Sequence, residues 1–574
     1  MRILSPAVTS LLGALVLAAA PARAQRLRGE VVFADSVTPA RAVIVNVTDS
    51  AGTVVARTLT SSVGSFVVDL TREGRYRVRL LRIGFQPTES PATLVRTGTP
   101  VTLRLVLLGA PVTLARVTVR GERECRIRPD SAQEVFRLWD EARKALSAAQ
   151  LALTSGRLDS EWLRYQRRSS ATDETLYEDS VGTGSGRTAR PFVSEAPASL
   201  ARLGYRRDIG GTAVYLGPDG EALLSEEFAA THCFRLRPPP DGHPGWIGAE
   251  FEPARERNGI VDIAGTAWLD RASAELQLVE FGYTNVPVEV RRAGIGGRIE
   301  YARLASGEFA LNRWQIRLPG TRDALLRVRD GGFEHTETRR QVTRLNVSGG
   351  ELRAVRADGD ESYRRESGAL DVRLGTASGV LHAAGATLAF AGAPYLGLAD
   401  SAGIAHLQRI PPGTYRVGIT TPEMRDLVVR PLWRELTVAD GDRTASASLT
   451  FSDDDLLAAA CGDAGVRRRE VLVFGVALDA DGEPWSNDSV QVHWTADAVP
   501  DTGDPGPVRW RGRRAPTDEF GRWSTCEVPR NVTLVVGAVT ESPASLARRV
   551  RIDAGQPVVH LRLPVVPRRG QPPA

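Results

Sequence analysis

Apolar and polar residues alternate along most of this chain, which is the period-two signature of half-buried strands. Val43, Val45 and Val47 stand on one side of such a run. Phe66, Val68 and Leu70 form the next inward set, followed by Tyr76, Val78 and Leu80. Asp49-Ser50-Ala51-Gly52 predicts a turn, Ile83-Gly84-Phe85-Gln86-Pro87 breaks the pattern, and Val101 to Leu107 closes the unit. Short runs with turn signals every eight to twelve residues or so predict a β-sandwich.

One idiom recurs. A β-run leads to a Ser/Asp-x-x-Gly turn and a second β-run, as in Ser61-Ser62-Val63-Gly64, Asp400-Ser401-Ala402-Gly403 and Asp518-Glu519-Phe520-Gly521. In the first two copies a Gly-x-Tyr strand follows, at Gly74-Arg75-Tyr76 and Gly413-Thr414-Tyr415. Repeated β modules build surfaces and spacers, so the repeat bears on function as well as fold.

The residues Gly29 to Val32, Pro39 to Val45, Thr60 to Phe66, Gly74 to Val78 and Ile83-Gly84-Phe85 resemble the carboxypeptidase regulatory-like domain. That resemblance implies a transthyretin-like β-sandwich of the carbohydrate-binding-like kind. Such modules occur beside carboxypeptidases, on carbohydrate-binding-like proteins and at the front of TonB-dependent receptors. Pro111 to Gly121 looks like the linker to a receptor plug, but no barrel pattern follows, and only 6% of the chain is aromatic.

Between the modules the period changes. Pro129-Asp130-Ser131 predicts a helix cap, and Val135, Leu138, Trp139, Ala142, Leu146, Ala149 and Leu153 share one face of a helix over 132–153. Arg143 and Lys144 are expected on its wet side. Residues 160–345 then read as mostly strand, and Ile263 to Asp270 with Leu276 to Val286 resemble LolA/LolB-like curved half-barrels, which shelter acyl chains. The fold class expected is mainly β and multidomain, with transthyretin-like or Ig-like sandwiches flanking an α+β central domain that has one amphipathic helix and a curved antiparallel sheet. The expected boundaries are a signal peptide at 1–24, the first sandwich at 25–109, the central domain at 110–350, further sandwiches at 366–452 and 466–566, and a disordered tail at 567–574.

Arg2, the apolar run Leu11 to Ala20 and the small-x-small site Ala22-Arg23-Ala24 read as a secretory signal. Export points to the periplasm, the outer membrane or the extracellular side, and no later stretch is long enough to span a bilayer as a helix. Four cysteines in an exported chain read as two disulfides with three possible connectivities. Cys125–Cys233 and Cys461–Cys526 are preferred, because each pair then falls inside one domain. A four-cysteine zinc site would need close-spaced pairs, which the sequence lacks.

The chain carries 73 basic and 68 acidic residues among 574. Its only lysine is Lys144. Arginines scattered among nearly as many acids exclude a basic recognition block and argue against nucleic acid. None of the seven histidines opens a His-x-x-Glu zinc motif, and there is neither a G-x-S-x-G elbow nor a phosphate loop. His335 between Glu334 and Glu337 reads as a surface cluster, and Asp453 to Asp455 as an acidic turn between domains. Trp485 and Trp510, near predicted loops, are the candidate ligand contacts. The reading that results is an exported, non-enzymatic binding or assembly protein of the cell envelope with no cofactor or metal. Its partner would be an envelope protein, a polysaccharide or an apolar ligand. The alternatives are a periplasmic carrier of an apolar ligand through the central domain, and a polysaccharide-binding accessory or receptor-associated module.

Overall fold

The computed structural model describes residues 25–108 and 133–564, apart from 155–157, 172–175, 187–193, 210–211, 306, 331–332, 358–359, 428, 440–443, 468–469, 480–481, 486–487, 496–510, 519 and 539–547. The signal segment, the helix cap at 129–131 and the C-terminal tail lie outside the described residues. The chain divides into two compact units, Met1–Val112 and Thr113–Ala574.

The first unit is a sandwich of eight strands: β1 (Gln25–Phe33), β2 (Ile44–Thr48), β3 (Val54–Leu59), β4 (Ser65–Leu70), β5 (Gly74–Leu81), β6 (Thr88–Glu89), β7 (Thr93–Val95) and β8 (Val101–Leu107). In one sheet β1 lies between β4, antiparallel, and β8, parallel. The other runs β3-β2-β5-β6, with β7 also on β5. Val31, Val45, Val47, Phe66, Val68, Tyr76 and Val78 fill the space between, so the alternating positions face inward.

The second unit begins with α1 (Gln133–Thr154), β9 (Leu158–Ser170) and β10 (Leu176–Gly186). Next come α2 (Pro197–Leu203), the ribbon β11 (Arg206–Ile209) and β12 (Thr212–Tyr215), α3 (Gly220–Leu224) and α4 (Glu226–Thr231). An antiparallel meander follows through β13 (His232–Arg237), β14 (Trp246–Pro253), β15 (Asp262–Asp270) and β16 (Leu276–Thr284). After α5 (Val288–Arg292) it continues with β17 (Gly296–Arg303), β18 (Phe309–Asp330), β19 (Phe333–Ala357) and β20 (Asp360–Arg364). The sheet order is β10-β9-β19-β18-β17-β16-β15-β14-β13, with β20 on β19. Helix α1 packs over β13 to β16 and β18 and against α3. The helix is more enclosed than its apolar stripe suggested. Lys144, expected in water, is only 4% exposed and pairs with Glu141 at 2.6 Å and Asp140 at 3.2 Å. A helix covered on more than one side must pair the charges it carries there.

Two further sandwiches complete the unit. The second consists of β21 (Gly368–Thr376), β22 (Thr387–Phe390), β23 (Leu396–Leu398), β24 (Ile404–Ile410), β25 (Gly413–Thr420), β26 (Leu432–Val438) and β27 (Thr444–Phe451). Helix α6 (Asp453–Arg467) leads into the third, built from β28 (Val471–Leu478), β29 (Ser489–Thr495), β30 (Arg511–Pro516), β31 (Arg522–Val528), β32 (Thr533–Ala538), β33 (Arg548–Arg551) and β34 (Val558–Pro564). Their sheets, β24-β21-β27 with β23-β22-β25-β26, and β31-β28-β34 with β30-β29-β32-β33, repeat the order of the first sandwich. In all three, the first strand pairs antiparallel with the fourth and parallel with the last.

The recurring turn has one structural job. Gly64, Gly403 and Gly521 all have positive φ, near 70°, where a side chain is strained. Their carbonyls accept from Val31, Leu374 and Ala477 of the respective first strands at 2.8, 2.8 and 2.9 Å. Asp400 Oδ1 accepts from the amides of Ala402 and Ile404, and Asp518 Oδ1 from those of Phe520 and Arg522, each at 2.8–2.9 Å. The Gly-x-Tyr strands form tyrosine corners, with Tyr76 donating to Arg72 O at 2.7 Å and Tyr415 to Pro411 O at 2.8 Å.

Candidate functional site

The strongest concentration of buried charge lies where the central sheet meets the second sandwich. Arg313 of β18 and Glu351 of β19 are register partners, so their side chains share a face. Arg353, at a bulge two residues further along the same strand, reaches the Glu351 carboxylate. Glu351, fully buried, takes Arg313 at 2.9 Å, Arg353 at 2.8 Å and Arg365 at 3.6 Å, and it accepts from the Tyr395 hydroxyl at 2.6 Å. Burial by itself would push its carboxyl up, but the guanidiniums and the Tyr395 hydroxyl outweigh that and hold it below the usual carboxylate range. Arg353 also donates to Ser367 Oγ and to Arg409 O of the second sandwich, both at 3.1 Å.

Arg167 of β9 makes a second cross-link. It pairs with Asp179 of β10 at 2.8 Å and donates to the carbonyls of Phe390, Ala393 and Tyr395 at 3.3, 2.8 and 3.1 Å. Under it, Tyr165 is pushed up to about 12 by burial. These charges join two domains. Beside them opens a cleft of about 780 Å³, lined by Glu161, Arg353, Arg364, Arg365, Glu366 and Arg409 among others. Among the described residues that line it, Ser367 is the one with a side-chain hydroxyl, and that hydroxyl accepts from Arg353 at 3.1 Å.

A second cluster surrounds His232 at the head of β13. The ring stacks on Phe228 at 3.9 Å, with Nδ1 3.1 Å from Phe228 O and Nε2 3.2 Å from Ile263 O. Asp262 lies 3.7 Å away and is held by Arg257 at 2.6 Å. Burial pushes the His232 pKa down against the pull of Asp262 and the two carbonyls. The space beside it measures about 10 Å³, room for a single water and no substrate. Trp139 of α1 packs on Phe234 at 4.3 Å, and Phe251, Leu276 and Phe281 are buried on the same face, whereas Trp268 is buried on the opposite one, beside Arg237 and Glu280. Among the described residues, the α1 face of the sheet is filled by side chains.

Of the residues expected from the sequence, Cys461 and Cys526 are bridged, with Cα atoms 5.8 Å apart. Cys233 is buried and disulfide-bonded, while Cys125 lies outside the described residues, as does Trp510. Trp485 is half-buried against the core of the third sandwich, with its amide donating to Ala477 O at 2.8 Å. The acidic run is the first turn of α6 rather than an exposed turn. Asp453 is buried and accepts from Ser378 Oγ, and Asp455 accepts from Ser452 N at 2.8 Å. Carboxylates there are stabilised by the helix N-terminus. The side chains of the Glu334-His335-Glu337 cluster lie outside the described residues. Among those described, no group of three or more His, Cys, Asp or Glu could hold a metal. Sequence reading missed Glu351 and its arginines, whose trace is the charged pair Glu351-Leu352-Arg353 inside an otherwise half-apolar strand.

No protein-family model matches this chain. No curated protein matches it either. Among solved structures, the Bacillus anthracis TIE protein aligns at 12% identity over 62% of this chain and 63% of its own length, with a TM-score of 0.16. The major pilin subunit of Bacillus cereus aligns at 8% identity over 74% and 98%, with a TM-score of 0.14. A streptococcal ancillary pilin aligns at 9% over 50% and 82%, with a TM-score of 0.15. Scores this low establish no common overall fold.

Proposed function

We propose that this chain is an exported, non-enzymatic binding or assembly protein of the cell envelope, built from carboxypeptidase regulatory-like modules around an α+β domain. The observation that carries the reading is that one sandwich plan is used three times. In the second unit, the buried charges most able to do chemistry serve instead to fasten the domains. Glu351 and Arg167 spend their contacts on the second sandwich, and His232 sits against aromatic rings with room for one water. A carrier of apolar ligands would need a large apolar cavity on the face of the sheet that α1 covers, and the burial of Phe251, Leu276 and Phe281 there speaks against it. The test is to incubate the purified protein with peptide and glycan panels. No turnover is expected, and hydrolysis abolished by a point substitution in this chain would overturn the reading.

A further inference from the structure

We propose that the outer face of the sheet β30-β29-β32-β33 in the third sandwich binds an acidic polysaccharide. The proposal rests on the binding-protein reading above and names its ligand class.

The four strands read Arg-Gly-Arg-Arg-Ala-Pro, Ser-Val-Gln-Val-His-Trp-Thr, Thr-Leu-Val-Val-Gly-Ala and Arg-Arg-Val-Arg. They hold six arginines and no carboxylate, in a chain whose acids nearly equal its bases. Register sorts the side chains, because residues opposite one another share a face. Val490, Val492, Trp494, Leu534 and Val536 turn into the core. The other set faces out in rows: Arg514 beside Gln491, then Gly512, His493, Val535 and Arg549, then Thr533 beside Arg551. Arg514 stands on one edge strand, and Arg549 and Arg551 on the other, about 14 Å apart across three strand spacings. Between these rims the floor is short, with Gln491, His493 and Thr533 set around one half-buried valine, Val535. A Cβ at Gly512 would sit 2.5 Å from His493 Nδ1, so the bare glycine leaves room for the ring. His493 in turn meets Gln491 Oε1 at 2.9 Å.

The rim arginines are exposed and electrostatically unspent. Among the described residues, Arg514 donates only to Ser489 Oγ and Arg551 only to Thr533 Oγ1, while Arg549 has no partner. The fold does not require this. In the equivalent sheet of the second sandwich Arg416 lies opposite Glu435, and in the first Arg77 pairs with Glu89 at 3.6 Å. Guanidiniums grip carboxylate, sulfate or phosphate esters in a bidentate fashion, and the amide, imidazole and hydroxyl of the floor suit sugar hydroxyls. A lipid surface is a poorer fit, since no large apolar side chain stands exposed on these four strands. Single-stranded nucleic acid would want aromatic platforms, and the one aromatic of these strands, Trp494, is in the core.

The full chain should bind polygalacturonate and dextran sulfate in affinity electrophoresis and leave neutral dextran unbound. The triple variant R514Q/R549Q/R551Q should lose about tenfold in affinity, and its salt slope should fall by about two. Arg416→Gln on the sister sheet should change neither. Unchanged melting would show that the triple variant is folded, and the single reversal Arg549→Glu, which should also weaken binding, covers the case in which it is not. Three results would overturn the proposal: polyanion binding within twofold of wild type in the folded variants, no polyanion binding at all, or preference for phosphatidylglycerol vesicles at equal charge. None of these bears on whether the chain is an enzyme, which the turnover panel decides separately.

Discussion

At the scale of single residues, Glu351 and His232 show what burial does to a charge. Glu351 is tolerated inside because three guanidiniums and a phenol satisfy it, and removing it would strand those cations. Glu351→Gln should therefore destabilise the second unit by about 3–5 kcal/mol, read as a lower midpoint in urea. A loss under about 1 kcal/mol would mean that solvent already screens the cluster. His232 makes the opposite case, since burial lowers its pKa and the folded state prefers the neutral ring. The unfolded chain then binds the extra proton first. Stability from this group is full above its ordinary value near 6.5 and declines as pH falls below it. Melting temperature should drop as pH is lowered from about 6.5 toward the depressed pKa, and the variant His232→Gln should show a flatter profile across that window. Identical slopes would assign the acid sensitivity to other groups.

At the scale of elements, the Ser/Asp-x-x-Gly turn was legible because its chemistry is local. A positive φ calls for glycine, and an Asp or Ser side chain can satisfy the amides of its own turn. The sequence could not reveal what the glycine also does across the sheet. A Cβ on Gly64 would lie 2.4 Å from Val31 O, and one on Gly521 2.5 Å from Ala477 O, whereas nothing lies within 4 Å at Gly52. Gly52→Ala should cost only the left-handed backbone penalty of about 1–2 kcal/mol. Gly64→Ala should cost clearly more, because it also pushes the first strand off the turn. Equal losses in thermal melts of the two variants would show that the strand shifts freely. Helix α1 illustrates the opposite difficulty. Its apolar stripe was readable from spacing, but the burial of Lys144 depends on how much of the helix its neighbours cover.

At the scale of the whole molecule, α6 and the bridge Cys461–Cys526 sit at the joint between the second and third sandwiches. Leu456 and Leu457 of α6 share one apolar core with Phe390 and Tyr415 of the second sandwich and Phe474 of the third. His560 of β34 adds a 2.8 Å contact to Asp426 of the second sandwich. The bridge closes a separation of 65 residues. Loop closure of that size contributes about 4 kcal/mol in the chain-entropy model. C461A/C526A should therefore lower the unfolding free energy by up to that amount while leaving the first unit's transition unchanged in calorimetry. A shift in both transitions would mean that the units unfold together. By itself the sequence determined the β class, the three repeats, their turns, the Gly-x-Tyr strands of two of them, and the absence of familiar catalytic motifs, because each follows from short-range periodicity and turn chemistry. Only tertiary structure decided which charges were buried and paired, which side chains fill the face beneath α1, and that Arg514, Arg549 and Arg551, from the two edge strands of one sheet, share its outer face without a carboxylate partner among the described residues. Those outcomes depend on contacts between residues far apart in the chain, and strand register, not local pattern, brings them together.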